Sequence, residues 1–249
     1  MKMKKGLIIG KGWIGSKLEA YLKDDFKLTT TKRKSDAENC LSIDFDQETT
    51  RFPSISSFDS IIITIPFGKR NTNEELIQRF TNIQQFIGDF KGTIILLSST
   101  GIYPDQPNFI TEESVQHSEL KDPYRLIEDF MQTHFPQLTI LRLGGIMGED
   151  RYLSKYLNFN REGLDEVVNH VHYEDILNVI KTCLKNEVKS KIFNVVAPQH
   201  PTKREVLEFQ INQNHIESET KKGKTISSDK LINELNYPFI HPNPLYFKY

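Results

Sequence analysis

Three glycines near the N-terminus form the pattern in this sequence that points most directly to chemistry. Gly10, Gly12 and Gly15 have the spacing Gly-x-Gly-x-x-Gly and directly follow an apolar run. In such a loop the first glycine permits a tight turn, the second lets the backbone approach a pyrophosphate, and the third allows close helix packing. The N–H groups that open the following helix favour an anion. The pattern predicts a dinucleotide-binding loop that includes Trp13 and Ile14, with Trp13 either shielding the pyrophosphate or packing the helix.

The end of the next predicted strand bears on which dinucleotide is bound. An NAD-binding unit usually carries an acidic residue about 20 positions further on, which holds the ribose 2′-hydroxyl. Here the stretch 29–34 reads Thr-Thr-Thr-Lys-Arg-Lys. Because cations complement a 2′-phosphate, Lys32 and Arg33 favour NADP over NAD, and the other interpretation is a basic surface turn. Asp44, after the third predicted strand, either contacts the adenine or caps a turn.

An alternation of strands and helices must position these residues. Short apolar runs alternate with amphipathic segments, which is typical of a doubly wound parallel sheet, the Rossmann class of α/β fold. Two helices are predicted clearly, at Glu74–Gly88 with Asn73 as its cap and at Tyr124–Phe135. The predicted strands are Gly6–Gly10, Phe26–Thr30, Asn39–Ile43, Ser60–Ile65, Thr93–Ser98, Leu138–Leu143 and Lys191–Val196.

The organisation of the chain is predicted as a dinucleotide-binding core with a small, mainly C-terminal cap. Residues 1–145, completed by 170–197, carry the strand and helix pattern of the core. Residues 146–169 and 198–249 contain more loops, prolines and polar residues, and we assign them to a cap that binds substrate.

Composition limits the classes of partner. The formal net charge is −1, so no overall field favours nucleic acid or an anionic membrane. Cys40 and Cys183 lie far apart and outside any Cys-x-x-Cys pattern, which is typical of a reducing compartment. No run approaches the roughly 20 apolar residues that span a bilayer. We therefore expect a cytoplasmic protein whose partner is a small-molecule substrate, and homodimer formation stays open.

Several stretches resemble one family over nearly the whole chain. Residues 98–104 read Ser-Ser-Thr-Gly-Ile-Tyr-Pro, residues 141–148 read Leu-Arg-Leu-Gly-Gly-Ile-Met-Gly, and residues 170–176 read His-Val-His-Tyr-Glu-Asp-Ile. They are similar to the Ser-Ser-x-x-Val-Tyr-Gly, Leu-Arg-x-x-x-x-Tyr-Gly and His-Val-x-Asp-Val segments of the extended short-chain dehydrogenase/reductases. This resemblance implies an atypical NAD(P)-dependent epimerase/dehydratase-like protein.

The resemblance also implies catalytic residues, and here the sequence departs from the family. The family uses a Ser/Thr-Tyr-Lys set in which tyrosine is the acid/base and lysine favours its ionised form. Ser99 matches the serine, with Thr100 beside it, and Tyr124 at a helix start is the candidate tyrosine. Four residues further on stands Glu128 instead of lysine. Alternatively, Glu128 matches a glutamate further along the family's helix, and Tyr124 then matches nothing catalytic.

Two functions follow as hypotheses of different classes. The first is an oxidoreductase or epimerase/dehydratase-like enzyme acting on a nucleotide sugar or a related carbonyl or alcohol. The second is a non-enzymatic, dinucleotide-binding redox sensor or regulatory module, which the missing lysine favours. His170 and His172 form the nearest approach to a metal-ligand spacing, but the family has histidine there without metal, so no metal site is predicted.

Overall fold

A computed structural model describes residues 3–35, 37–68, 71–106, 108–212 and 220–247. The strands are β1 Lys4–Ile9, β2 Phe26–Lys32, β3 Cys40–Ser42, β4 Ser60–Ile63, β5 Thr93–Ser99, β6 Phe109–Ile110, β7 Thr139–Leu143, β8 Gly145–Met147, β9 His170–His172, β10 Ile192–Val195 and β11 Thr225–Ile226. The helices are α1 Trp13–Leu22, α2 Asn73–Ile87, α3 Tyr124–His134, α4 Tyr173–Lys185, α5 Lys203–Asn212 and α6 Asp229–Leu235. Among these helices, none has the length and apolar character required to cross a membrane.

The central sheet confirms the predicted doubly wound fold. It contains seven parallel strands in the order β10-β7-β5-β4-β1-β2-β3, and each corresponds to one of the seven predicted strands. Strand β1 pairs with both β2 and β4, so the strand order reverses between β1 and β4. In open α/β sheets, ligands bind beyond the carboxyl ends of the strands at such a reversal. The topology therefore makes the ends of β1 and β4 the candidate binding site.

The core packs helices α2 and α3 against the sheet through apolar side chains. Helix α2 supplies a stripe at three- and four-residue spacing that is buried with strands β1, β4 and β5. Its predicted cap was wrong by one residue, because Asn73 is the first helical residue and Thr72 is the cap. Thr72 has extended backbone angles, its hydroxyl accepts from the Glu75 N–H at 3.2 Å, and Glu75 accepts from the Thr72 N–H at 2.9 Å. Helix α2 thus begins with a capping box.

The chain divides into two compact units. The first contains Met1–Ser98, Lys121–Leu141 and Ile180–Ile192, and the second contains Ser99–Leu120, Arg142–Val179 and Phe193–Tyr249. The second unit has two small parallel sheets, β6 with β11 and β8 with β9, and its own apolar cluster that includes Leu153, Val168 and Leu207. The assignment of a substrate-binding cap stays a prediction, and residues 213–219 and 248–249 of that cap lie outside the described residues.

Candidate functional site

Each glycine of the loop between β1 and α1 has its own steric requirement. Gly10 has φ +105°, and a Cβ there would lie 2.7 Å from Ile65 Cγ1. A Cβ on Gly15 would lie 2.2 Å from the carbonyl oxygen of Gly10, so the helix can approach the strand only with glycine at that position. A Cβ on Gly12 would meet nothing within 4 Å. The backbone conformation requires glycine at positions 10 and 15. Gly12 instead faces open space, through which a ligand group could approach the protein backbone.

Hydrogen bonds from the neighbouring strands hold this loop in place. The Thr31 hydroxyl, in β2, accepts from the Gly10 N–H at 3.0 Å, and the Thr31 carbonyl accepts from the Lys11 N–H at 2.7 Å. The Thr64 hydroxyl, just after β4, donates to the Gly10 carbonyl at 2.5 Å. The two threonines therefore fix the loop before any ligand arrives. Their pairing with the loop could not be inferred from the sequence, which shows them only as polar residues at predicted strand ends.

A cleft of about 600 Å³ lies at this end of the sheet, within the first unit. Its walls include five of the predicted cofactor-binding residues: Gly10, Gly12, Lys32, Arg33 and Asp44. The other three lie in α1. Ile14 and Gly15 are buried, and Trp13 is half-buried with the Lys17 ammonium 4.6 Å from its ring centroid. A larger cleft of about 770 Å³, which includes Met3, Lys5 and Phe26, contains none of the predicted site residues.

The cationic end of the cleft contains two carboxylates, of which Asp44 was a predicted cofactor-binding residue and Asp46 was not. Arg33 Nε lies 3.2 Å from Asp44 Oδ1, and its Nη2 contacts Asp46 Oδ2. Asp46 Oδ1 also lies 2.5 Å from Nε of the buried Arg79. The sequence shows no acid next to Lys32 and Arg33, but the fold brings Asp44 and Asp46 from the end of β3 to Arg33. A 2′-phosphate would therefore compete with these carboxylates for Arg33.

Charges and hydrogen bonds explain how the carboxylates of Asp44 and Asp46 are held. The hydrogen bond from Arg79, with the charges of Arg79 and Arg33, lowers the pKa of Asp46 below its usual value. Asp44 accepts from the Asp46 N–H at 3.1 Å, so it caps the turn after β3, as one of its two interpretations proposed. It also lines the cleft, so contact with an adenine stays a prediction. Sequence reasoning missed Asp46 and Arg79 because they lie 33 residues apart.

Helix α3 places Glu128, the residue four positions after Tyr124, in the interior. Glu128 is only 2% exposed, and the Ser98 hydroxyl donates to its Oε1 at 2.6 Å. The ring of Tyr124, one turn earlier, is partly buried and packs edge-on against Phe67 with centroids 5.3 Å apart. Arg125 pairs with Asp122 at 3.0 Å. The Glu128 side chain therefore binds the end of β5 and offers no cation for Tyr124.

The two candidate hydroxyls of the Ser-Ser-Thr segment belong to the second unit, whereas Tyr124 belongs to the first. The Ser99 hydroxyl accepts from the Gly101 N–H at 3.0 Å and caps a short turn. Thr100 is buried, and its hydroxyl donates to the Leu143 carbonyl at 3.3 Å. Ser99 is thus the more accessible of the two, and Thr100 is held by a structural contact.

The tyrosine in the same segment has a structural role. Tyr103 is fully buried, donates to Asn194 Oδ1 at 2.8 Å, and accepts from Arg142 Nη1 at 2.9 Å. Burial raises its pKa, against the lowering effect of the Arg142 charge. All three residues come from the stretches that carry the family resemblance or from strand β10. Their contacts explain why such stretches mark a fold more than an activity.

The fold is that of NAD-dependent epimerase/dehydratases and short-chain dehydrogenase/reductases. A Methylobacillus flagellatus protein assigned to the NAD-dependent epimerase/dehydratases superimposes with a TM-score of 0.76, 17% identity and coverage of 99% of this chain and 96% of that one. The human epimerase family protein SDR39U1, solved with NADPH, gives a TM-score of 0.71, 14% identity and coverage of 98% and 97%. No model of a known protein family matches the sequence.

Two curated proteins are similar over nearly the full length. Protein YeeZ of Escherichia coli strain K12 and protein YeeZ of Escherichia coli O157:H7 are each 24% identical over 277 aligned positions, which cover 98% of each chain. The similarity in sequence is thus low, and what this chain shares with the solved structures is their fold.

Proposed function

We propose that this protein binds a nicotinamide dinucleotide, preferentially NADP(H), in the cleft beside the glycine loop. The observation that carries the proposal is the open space at Gly12 between two glycines that the backbone itself requires. A loop that served only as a turn would have no need of glycine at position 12, where a side chain would meet nothing. The human structural neighbour solved with NADPH supports the same cofactor class.

The residues of the cleft fit such a ligand. The helix N-terminus at Gly12 and Trp13 offers backbone N–H groups and a positive dipole end to the pyrophosphate. Lys32 and Arg33 are exposed cations at the end of β2 and would pair with a 2′-phosphate, Arg33 by exchanging a carboxylate partner for it. Asp44 would contact the adenine. When bound, the dinucleotide would supply the capacity to accept or donate a hydride.

For the reaction, we propose an oxidoreductase or epimerase/dehydratase-like activity on a nucleotide sugar or a related carbonyl or alcohol. Tyr124 would take or give the proton of the substrate hydroxyl, and Ser99, with Thr100 beside it, would orient the substrate. Without the family's lysine, Tyr124 would lack the cation that favours loss of its proton in the family. We therefore expect slow turnover on typical nucleotide sugars despite firm cofactor binding.

One observation favours a second candidate, a dinucleotide-binding sensor without catalysis. Glu128 is buried and bonded to Ser98, so the position that supplies the catalytic cation in the family contributes to the core here. A protein that needs only to bind dinucleotide would tolerate this change, because the glycine loop lies on other elements of the chain.

Single-turnover hydride transfer distinguishes the two candidates. Wild type and Tyr124→Phe would be mixed with NADP⁺ or NADPH and a panel of nucleotide sugars, and the nicotinamide absorbance followed. The enzyme hypothesis expects slow transfer that falls by about 10²-fold or more in Tyr124→Phe, because the phenol is the acid/base. Phe130→Leu, on the same helix, is the matched control and should keep the wild-type rate.

The remaining outcomes assign the function differently. Transfer that survives Tyr124→Phe would remove Tyr124 from the mechanism. Firm cofactor binding with no transfer from any substrate would favour the sensor.

A further inference from the structure

A cluster of two histidines and a glutamate lies in the second unit and includes none of the proposed cofactor-binding or catalytic residues. Strand β9 ends at His172, helix α4 carries Glu174 in its first turn, and His241 comes from the segment after α6. Glu174 Oε2 lies 3.7 Å from His172 Nδ1 and 2.6 Å from His241 Nε2. One ligand atom from each residue lies within 4.8 Å of the others. In the sequence, His170 is the histidine with ligand-like spacing to His172. In the fold, His172 lies instead beside His241, which is 69 positions later.

The hydrogen bonds at His172 leave two electron-pair acceptors facing each other. The Glu174 N–H donates to His172 Nδ1 at 3.4 Å, so this nitrogen carries a lone pair. The same nitrogen faces the Glu174 carboxylate oxygen, which is also an acceptor. A bound cation would resolve this contact.

The surrounding structure holds Glu174 and His241 in position. The carboxylate of Asp175 is fully buried and accepts from the Tyr237 hydroxyl at 2.9 Å and from the N–H groups of Ile240 and His241 at 2.8 and 3.0 Å. These bonds fix the backbone of His241 beside α4. The Tyr173 hydroxyl donates to Glu174 Oε1 at 3.3 Å and orients the carboxylate. Outer contacts of this kind are what orient the ligands of a metal ion.

We propose that His172, Glu174 and His241 bind a divalent transition-metal ion, with Zn²⁺ the best fit. Two imidazoles and one carboxylate are borderline-soft ligands that suit zinc, and three protein ligands leave a fourth position for water. The site is reachable, because the side chain of Glu174 is 44% exposed and that of His241 is 25% exposed. A tetrahedral site with bonds of about 2.1 Å separates its ligand atoms by about 3.4 Å, which rotation of these two side chains would reach.

The bound ion would join the C-terminal segment to the start of α4. His172 and Glu174 belong to consecutive elements, β9 and α4, whereas His241 lies beyond α6. The metal would therefore link the C-terminal segment to α4 a second time, in addition to the hydrogen bonds that Asp175 makes to that segment. This site is independent of the dinucleotide cleft, and its failure would leave the proposed function unchanged.

Titration of the chelator-treated full chain with Co²⁺ tests the proposal. Co²⁺ is the probe because its visible absorption reports on tetrahedral coordination by nitrogen and oxygen. We expect one equivalent to bind with a tetrahedral spectrum, and Zn²⁺ to displace it. His172→Asn, His241→Asn and Glu174→Gln should each weaken binding more than about tenfold, because each removes one ligand. His134→Asn, an exposed histidine on α3, should bind as wild type.

A second measurement keeps the test valid if a histidine variant fails to fold. Glu174→Gln keeps the size of the side chain and an oxygen that can accept from His241. Zn²⁺ at about 100 times its dissociation constant should raise the melting temperature of wild type by on the order of 5 °C and leave that of Glu174→Gln unchanged. No saturable Co²⁺ binding by wild type, or equal binding by Glu174→Gln, would overturn the proposal and leave a His241–Glu174 hydrogen bond as the role of the cluster.

Discussion

The loop after β1 and the start of α3 belong to the same compact unit but depart from the family pattern to different degrees. At the loop, the backbone requires Gly10 and Gly15, and Gly12 faces open space. At α3, Glu128, four residues after Tyr124, is buried against Ser98. Under the proposed function, the elements for binding a dinucleotide and those for acid–base chemistry have changed separately. A chain of this kind would keep its cofactor site while its catalytic rate falls.

The largest expected effect compares two glycines of one loop. Gly15→Ala should destabilise the protein by about 2–4 kcal/mol, because the new Cβ would overlap the Gly10 carbonyl oxygen and neither backbone can move easily. Gly12→Ala is the control and should change stability by less than about 1 kcal/mol, since its Cβ would meet nothing and its φ is −90°. Urea unfolding measures both. Equal losses would show that the two glycines do not have separate roles.

The next effect concerns the buried contact between Ser98 and Glu128. Ser98→Ala removes the hydroxyl that donates to the buried Glu128 carboxyl, so we expect a loss of about 1–3 kcal/mol in the free energy of unfolding. Ser16→Ala, at an exposed position of α1, should change it by less than about 0.5 kcal/mol. If Ser98→Ala left the free energy of unfolding unchanged, Glu128 would not be held by β5. The case for a structural role of Glu128 would then fail.

The smallest stability effect comes from the carboxylate that Arg33 and Arg79 share. Asp46→Asn should cost about 1 kcal/mol at pH 7, a modest value because Asp46 is partly exposed and water screens its charges. The pKa of Asp46 is lowered by folding, so its contribution is complete above the unfolded value near 3.8. As the pH falls below that value the contribution is lost, and the two proteins should converge.

Chemical unfolding from pH 7 to pH 3 measures this convergence. Asp24→Asn, in the exposed turn after α1, is the matched control. A difference between wild type and Asp46→Asn that grows as the pH falls would contradict the assignment of the ion pairs.

Local spacing predicted the sheet and the loop, and long-range contacts explain what it missed. The seven strands were readable because most are short apolar runs next to an amphipathic segment. The steric role of Gly15 followed from its spacing to Gly10. The carboxylates at Arg33 were not readable, because Asp46 reaches it only after β2 and β3 pair. The partner of His172 was equally hidden, since His241 joins it through the folding of the C-terminal segment.

The central claim is that the cleft at Gly12 binds NADP(H), and calorimetric titration of wild type and Gly12→Val with NADPH and NADH tests it most directly. Wild type should bind NADPH more tightly than NADH, and the preference should disappear in Lys32→Ala combined with Arg33→Ala. Gly12→Val should stay folded and bind neither cofactor, because its side chain would fill the space that the pyrophosphate needs. Absence of binding by wild type, or binding by Gly12→Val equal to that of wild type, would contradict the account.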